Sequence, residues 1–199
     1  MQELIVTQNI TLDGVIDAAE SWFDPSDGEG TDQSDLIEAV HEGMATTDAL
    51  LFGRVTFEQM RGYWPLQTGD VTGVRDHLNE AHKYVVSRTL QDPAWERSTV
   101  LRGPLLEEVQ RLKAQPGKGI VATGSMSLMP ELVAGDVVDE YRLFVYPVVL
   151  GHRKRLFVEG SVPSAMRWVD TKTTSTGVVA SIYQPTGKPQ YGSFALEDS

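Results

Sequence analysis

Short runs of β-branched and aromatic residues alternate with helical patterns along most of this chain, and that alternation restricts it to strand–helix crossovers around a largely parallel sheet. Leu4-Ile5-Val6 opens as strand, and Thr11 to Ile16 follows as a loop with a short extended piece. Trp22 to Thr31 (WFDPSDGEGT) is a polar loop rich in Gly, Pro and Asp, long enough to be a binding loop or lid. Leu36, Ile37, Val40 and Met44 share one helical face, with Asp35 and Glu38 spaced as a capping box. Ala49-Leu50-Leu51-Phe52 is continuously apolar, as a strand covered on both faces must be. A short helix follows, with Thr56 and Gln59 spaced as a second capping box, and another helix is expected over about Asp70 to His82. Lys83 to Val86 and Ser98 to Leu101 read as strands. Leu105, Leu106, Val109 and Leu112 mark a helix face that stops before Pro116-Gly117.

Ile120 to Thr123 is a further strand that runs without a spacer into a helix ending at Gly135, where a left-handed C-cap is expected. Glu140 to Val149 (EYRLFVYPVV) alternates as strand. Arg167 to Thr174 and Val178 to Gln184 read as antiparallel strands around Ser175-Thr176-Gly177. Pro185 to Ser199 forms a polar tail. The expected architecture is therefore α/β, three layers (α/β/α), with a mixed and mostly parallel sheet ending in an antiparallel hairpin. A length of 199 residues suits one domain.

Composition narrows the function. A net charge of −11 and a pI near 4.7 oppose binding to a nucleic-acid backbone, which needs a basic stripe. No run reaches the roughly 18 apolar residues of a membrane span, and Met1 to Leu4 enters strand without a secretory leader, so a cytoplasmic protein is expected. The absence of cysteine excludes disulfides, thiolate catalysis and Cys-ligated metal. His41, His77, His82 and His152 are scattered without ligand spacing, so no metal site is expected.

In a doubly wound sheet, ligands bind beyond the carboxyl ends of the strands. Three polar turns fall at such ends: Gly53-Arg54-Val55-Thr56, Ser87-Arg88-Thr89 and Gly124-Ser125-Met126. Glycine lets a ligand approach the backbone, and free N–H groups at a helix start attract a pyrophosphate. Arginines at neighbouring strand ends would clamp a terminal phosphate such as the 2′-phosphate of NADPH. The GxGxxG fingerprint and the Walker A motif are both missing. Ser125 at a strand-to-helix turn raises a serine-hydrolase alternative, but the flanking glycines of a nucleophile elbow are absent.

Four blocks carry a family resemblance: Asn9-Ile10-Thr11-Leu12-Asp13-Gly14, Leu51-Phe52-Gly53-Arg54-Val55-Thr56-Phe57-Glu58, Val85-Val86-Ser87-Arg88, and Ile120 to Leu143. With Pro147 to Gly151 and Leu156-Phe157, they make the chain resemble the dihydrofolate-reductase-like superfamily. Within that superfamily it looks like the C-terminal reductase domain of the bifunctional riboflavin-biosynthesis protein. The resemblance implies an NADPH-dependent reductase acting on a C=N or C=O of a small polar heterocyclic or sugar-derived substrate, similar to 5-amino-6-(5-phosphoribosylamino)uracil reductase. It implies that Gly53, Arg54 and Thr56 hold the cofactor phosphates, with Ser87 and Arg88 at the 2′-phosphate. Gly124, Ser125, Met126 and Leu128 would lie beneath the pyrophosphate, and Asn9 and Ile16 beside the nicotinamide.

Asp13 either orients the substrate or serves as plain Asp-Gly turn chemistry. Trp22, Phe23, Phe57, Tyr63 and Trp64 are candidate substrate walls, with ordinary packing as the alternative. The proton donor is a water or one of Asp13, Asp24 and Asp35. Two departures from the family stand out: Gly124-Ser125 replaces paired glycines, and the acidic residue of dihydrofolate reductases has no secure counterpart in Asp32 or Asp35. The attached zinc deaminase is absent, since its signature needs Cys. The alternatives are a non-catalytic NADP(H)-binding module or a dihydrofolate reductase proper. Apolar surface near the last strands also suggests a homodimer.

Overall fold

A computed structural model of the chain describes residues 1–17, 22 and 32–192. Phe23, Asp24, most of the expected 22–31 loop and the last seven residues lie outside the described residues. Eight strands form one sheet in the order β4-β3-β2-β5-β1-β6-β8-β7. They are β1 (Glu3–Thr11), β2 (Ala49–Gly53), β3 (His82–Val86), β4 (Ser98–Leu101), β5 (Gly119–Thr123), β6 (Glu140–Tyr146), β7 (Ala165–Thr173) and β8 (Val179–Gly187). The pairings among β1 to β6 are parallel, whereas β8 pairs antiparallel with both β6 and β7. The mixed sheet with its antiparallel C-terminal hairpin is the architecture the sequence implies. β8 runs three residues further than expected, into the polar tail.

Among the described residues, five α-helices accompany the sheet: α1 (Ser34–Ala45), α2 (Arg54–Tyr63), α3 (Val74–Glu80), α4 (Leu105–Lys113) and α5 (Met129–Ala134), with a short 3-10 turn at Trp64–Leu66. Every residue of β2 is buried, as its apolar run requires. One core packs Leu4, Val6, Leu51 and Ala122 against Val109 and Leu112 of α4 and Met129 and Leu132 of α5. A second core joins Leu50, Phe52 and Val85 to Phe57 of α2 and Leu78 of α3. Burying each such large side chain contributes about 1.5–3 kcal/mol. α1 has no buried residue and is held by polar links. The Asp35 carboxylate accepts the Ser175 amide at 2.6 Å, Lys172 pairs with Glu38, and Arg142 donates to the Gly43 carbonyl at 2.9 Å.

Four local expectations are corrected. α3 is confined to Val74–Glu80, because the Asp70 carboxylate accepts the Thr72 and Arg75 amides, each at 2.8 Å, and holds the preceding residues in a turn. Neither capping box forms: α1 starts at Ser34, where Asp35 turns to Ser175, and α2 starts at Arg54, one turn too early for Thr56 to cap it. Gly135 is not left-handed, with φ −79, and the positive φ of +50 falls on Asp136 instead. A Cβ at Gly135 would lie 2.5 Å from Leu106 Cδ2 and 3.1 Å from the Glu131 carbonyl, so a larger residue there forces Leu106 to move. Finally, a turn at Met126–Leu128 separates β5 from α5.

Candidate functional site

The parallel register brings the three turns to one edge of the sheet. Gly53 pairs with Val86 and Leu51 with Ala122, so the residues after β2, β3 and β5 emerge side by side. The first and third turns interlock. The Gly53 amide donates to Ser125 Oγ at 2.6 Å, and the Ser125 amide donates to Thr56 Oγ1 at 2.8 Å. A Cβ on Gly124 would stand 2.9 Å from Thr56 Cγ2, a separation only glycine permits. Gly124 and Ser125 both have positive φ, +59 and +53. The paired glycines of the resembling family thus correspond to two left-handed residues, and Ser125 adopts this conformation at a cost of roughly 1–2 kcal/mol.

The Gly53, Gly124 and Ser125 amides therefore belong to the framework of the edge. Ser125 is 4% exposed with its hydroxyl turned inward, which removes the serine-hydrolase alternative. α2, ten residues long, has no side-chain cap, so its first-turn amides at Arg54 and Val55 retain the anion-attracting character of a helix start. Both residues are exposed.

At the end of β3, Ser87 is buried and accepts the Thr89 and Leu90 amides at 3.2 and 3.0 Å. Its hydroxyl is committed to shaping the turn. Arg88 is exposed, and among the described residues no hydrogen bond or ion pair engages its guanidinium. Arg102, which sequence reasoning missed, donates to the Arg88 and Leu90 carbonyls at 3.1 and 2.9 Å and stiffens the loop. The exposed Arg54 pairs with Glu58 at 2.8 Å, one helical turn on, an exchangeable surface contact worth about 0.3–0.5 kcal/mol.

β1 and β6 supply the neighbouring part of the edge. Asn9 is half-buried and pairs in register with Phe144, while Ile16 is buried in the first core. Trp22 meets Tyr146 edge-to-face at 5.5 Å, and burial raises the Tyr146 phenol above its ordinary range. Asp13 accepts Thr11 Oγ1 at 2.6 Å and the Gly151 amide at 2.8 Å, with Leu150 and Arg155 at longer range. The Thr11 hydroxyl and then these amides hold its carboxyl well below the usual range. Asp13 is thus a carboxylate clamp between two turns, the turn role that its Asp-Gly sequence allows.

Phe57 (0% exposed) and Trp64 (9%) belong to the second core beside Leu78, so they cannot wall a substrate pocket. Leu128 is buried, with its amide donating to the Ser125 carbonyl at 2.7 Å, and Met126 packs half-buried on the first core. Tyr63 remains exposed. Sequence reasoning also missed Gln8, whose buried amide meets Gly124. Its only sequence signal is a polar residue in an otherwise apolar position of β1, between Val6 and Ile10.

A dinucleotide fits this edge on two observations. One is the uncapped start of α2 beside the close-packed glycine turn, and the other is the unengaged guanidinium at the end of the adjacent strand. Arg54, Arg88 and the first-turn amides of α2 would hold its phosphates. Among the described residues, no helix is long and apolar enough to cross a membrane.

The sheet order, the two cores and the glycine turns define an α/β protein of the dihydrofolate-reductase-like fold. The putative riboflavin biosynthesis protein of Shewanella sp. PV-4 is similar in structure, with a TM-score of 0.65 at 17% identity over 93% of this chain and 99% of that one. A pyrimidine reductase-like protein of Corynebacterium diphtheriae has a TM-score of 0.63 at 16% identity, covering 93% and 92%. Acinetobacter baumannii RibD has 0.62 at 14%, covering 94% of this chain and 58% of that one. The chain belongs to the RibD C-terminal domain family, a reductase-like family whose pattern matches residues 2–180. In Bacillus subtilis (strain 168), the uncharacterized protein YyaP is 32% identical over 194 residues, 94% of this chain and 96% of its own length. YwjB, likewise uncharacterized, is 27% identical over 167 residues, covering 82% and 87%.

Proposed function

We propose that the protein is an NADPH-dependent reductase that delivers hydride to a C=N or C=O carbon of a small polar heterocyclic or sugar-derived acceptor. The observation that carries this reading is the placement of the Gly53, Ser87 and Gly124 turns on adjacent strands, with Arg54 and Arg88 exposed beside them. NADPH supplies the hydride; the chain binds, orients and excludes water. Arg88 meets the 2′-phosphate without first breaking an ion pair, while Arg54 exchanges Glu58 for a cofactor phosphate. Asn9 and the Trp22–Tyr146 pair flank the reacting end.

Asp13 is held ionised, and Asp35 is committed to Ser175, so neither delivers the proton that completes the reduction. Water fills that role in this reading. The engagement of Asp35 with Ser175 also weighs against the alternative of a dihydrofolate reductase proper. It leaves standing a module that binds NADP(H) without turnover.

Titration with NADPH, followed by nicotinamide fluorescence, tests the reading. Saturation is expected, weakened on the order of 10- to 100-fold by Arg88→Ala, the loss of a charge-assisted hydrogen bond. No saturation, or Arg54→Ala and Arg88→Ala both binding as wild type, would end it. Saturable binding with no NADPH oxidation across a panel of imines and carbonyls would favour the non-catalytic module.

A second copy of the chain is proposed to sit on the far end of the sheet. There Trp168 of edge strand β7 is exposed, and Met166 of the same strand and Val162 of the preceding loop, both exposed, help line an apolar cavity of about 410 Å³ with Tyr141, Phe157 and Tyr183.

A further inference from the structure

We infer that Gln8 is a positioning residue for the dinucleotide, holding the Gly124–Ser125 turn in the shape the cofactor edge requires. The inference rests on the NADPH reading above. Gln8 is 3% exposed, one residue beyond Thr7, the last residue of β1 paired with β5. Past Thr123 the backbone leaves the sheet, and the Gln8 side chain takes over the ladder. Its Oε1 accepts the Gly124 amide at 3.3 Å, and its Nε2 donates to the Gly124 carbonyl at 3.4 Å. A carboxamide carries the same donor and acceptor as a peptide group, so it can continue strand pairing onto a residue whose φ of +59 no regular strand allows. The amide orientation is fixed, because only one flip state matches both groups of Gly124. The same Nε2 also points at Met129 Sδ, 3.6 Å away in α5.

The flanking residues on this face of β1, Leu4, Val6 and Ile10, are all buried and apolar. A buried amide among them costs free energy unless it is satisfied, and an apolar residue would pack there without that demand. The amide therefore has a task that packing alone does not explain. Fixing Gly124 aligns Ser125, whose hydroxyl reaches Gly53 and whose amide reaches Thr56. Through these bonds Gln8 acts on the start of α2, and through α2 on the phosphates it would hold.

Gln8→Met keeps the length and apolar volume and removes the amide. NADPH affinity is expected to fall about tenfold, the loss of one to two net hydrogen bonds, as the turn relaxes. Affinity for 2′,5′-ADP, which reaches Arg88 and omits the nicotinamide half, is expected to change less than about twofold. Hydrogen exchange of the Gly53, Gly124 and Ser125 amides should accelerate in the ligand-free variant while core strand amides stay protected. Equal losses for both ligands would mark a general structural defect and overturn the inference, as would unchanged NADPH affinity or unchanged exchange at the three amides. Wild-type protein that binds neither ligand would overturn the functional reading and this inference together; wild-type binding with an indifferent variant would overturn this inference alone. Should Gln8→Met not fold, Gln8→Glu, which keeps the length and loses the donor, is expected to give the same split.

Discussion

Ser125 Oγ accepts the Gly53 amide proton at 2.6 Å, joining two strand ends that are 72 positions apart in the chain. One hydroxyl thus sets how far α2 stands from the turn after β5. Because the acceptor is buried, its removal leaves an amide without a partner.

Ser125→Ala is accordingly expected to destabilise the protein by about 1–3 kcal/mol, the cost of an unpaired buried donor. Ser125→Gly loses the same acceptor but relaxes the left-handed backbone by roughly 1–2 kcal/mol. The glycine variant should therefore be the more stable of the two in urea unfolding. The reverse order would mean that Ser125 is not held at positive φ.

Acid should loosen two carboxylate clamps, Asp13 after β1 and Asp35 on α1. Asp13 and Asp35 both ionise more readily in the folded chain, through Thr11 in one case and the Ser175 amide in the other. A carboxyl with a lowered folded pKa contributes stability that is complete above its unfolded value near 3.8 and is lost as pH falls below it. Asp13→Asn, which keeps the shape and removes the charge, should melt lower at pH 7 and show a flatter decline between pH 4 and pH 2. The measurement is thermal melting followed by circular dichroism across that range.

A second rise of stability with pH, in a higher window, belongs to Lys83. Its side chain is fully buried, and Nζ donates to the Leu78 and Ala81 carbonyls at 2.7 and 2.8 Å beneath the Trp95 ring. Burial, followed by the nearby Arg97 charge, pulls the ammonium from 10.5 down to about 8. Between these values the unfolded chain binds a proton that the folded chain has released, so stability rises with pH. Burial raises the Tyr84 and Tyr141 phenols, which places their opposing contribution above pH 10. Melting temperatures from pH 8 to pH 10 should show the rise in wild type and lose it in Lys83→Met.

Gly135→Ala should cost about 1–3 kcal/mol by overpacking, since the new methyl would meet Leu106 Cδ2 at 2.5 Å. In the double variant with Leu106→Ala part of that cost should disappear. Additive effects of the two substitutions in a double-mutant cycle would refute the contact.

Self-association is checked by sedimentation. Wild type is expected to sediment as a dimer and Trp168→Glu as a monomer, because a charge cannot be buried unpaired at an apolar interface. A wild-type monomer at high concentration would remove that proposal.

Much of the fold was legible because strand ends coincide with abrupt changes in residue character. Phe52 to Gly53 and Val86 to Ser87 pass from apolar to polar in one step, and parallel register then aligns those steps on one edge. Long-range contacts were not legible. Gly135 carries the signature of a C-cap, yet its reason is a leucine from α4. Thr56 has capping-box spacing, yet its hydroxyl serves Ser125, 69 positions on. Phe57 and Trp64 lie near the glycine turn in sequence, but α2 turns Phe57 into the core and the short 3-10 turn after it does the same for Trp64. Asp13 could be placed in its turn but not assigned a purpose, because its partners at Leu150 and Gly151 are nearly 140 residues away.

β1, near the middle of the sheet, pairs from Glu3 with Gly119 on one side and from Ile5 with Glu140 on the other. Within the chain β1 is consequently made well before either of the strands that flank it. Until translation passes those positions, Leu4, Ile5 and Val6 travel as an unshielded sticky strip, and the nascent polypeptide is exposed to misassociation throughout that interval.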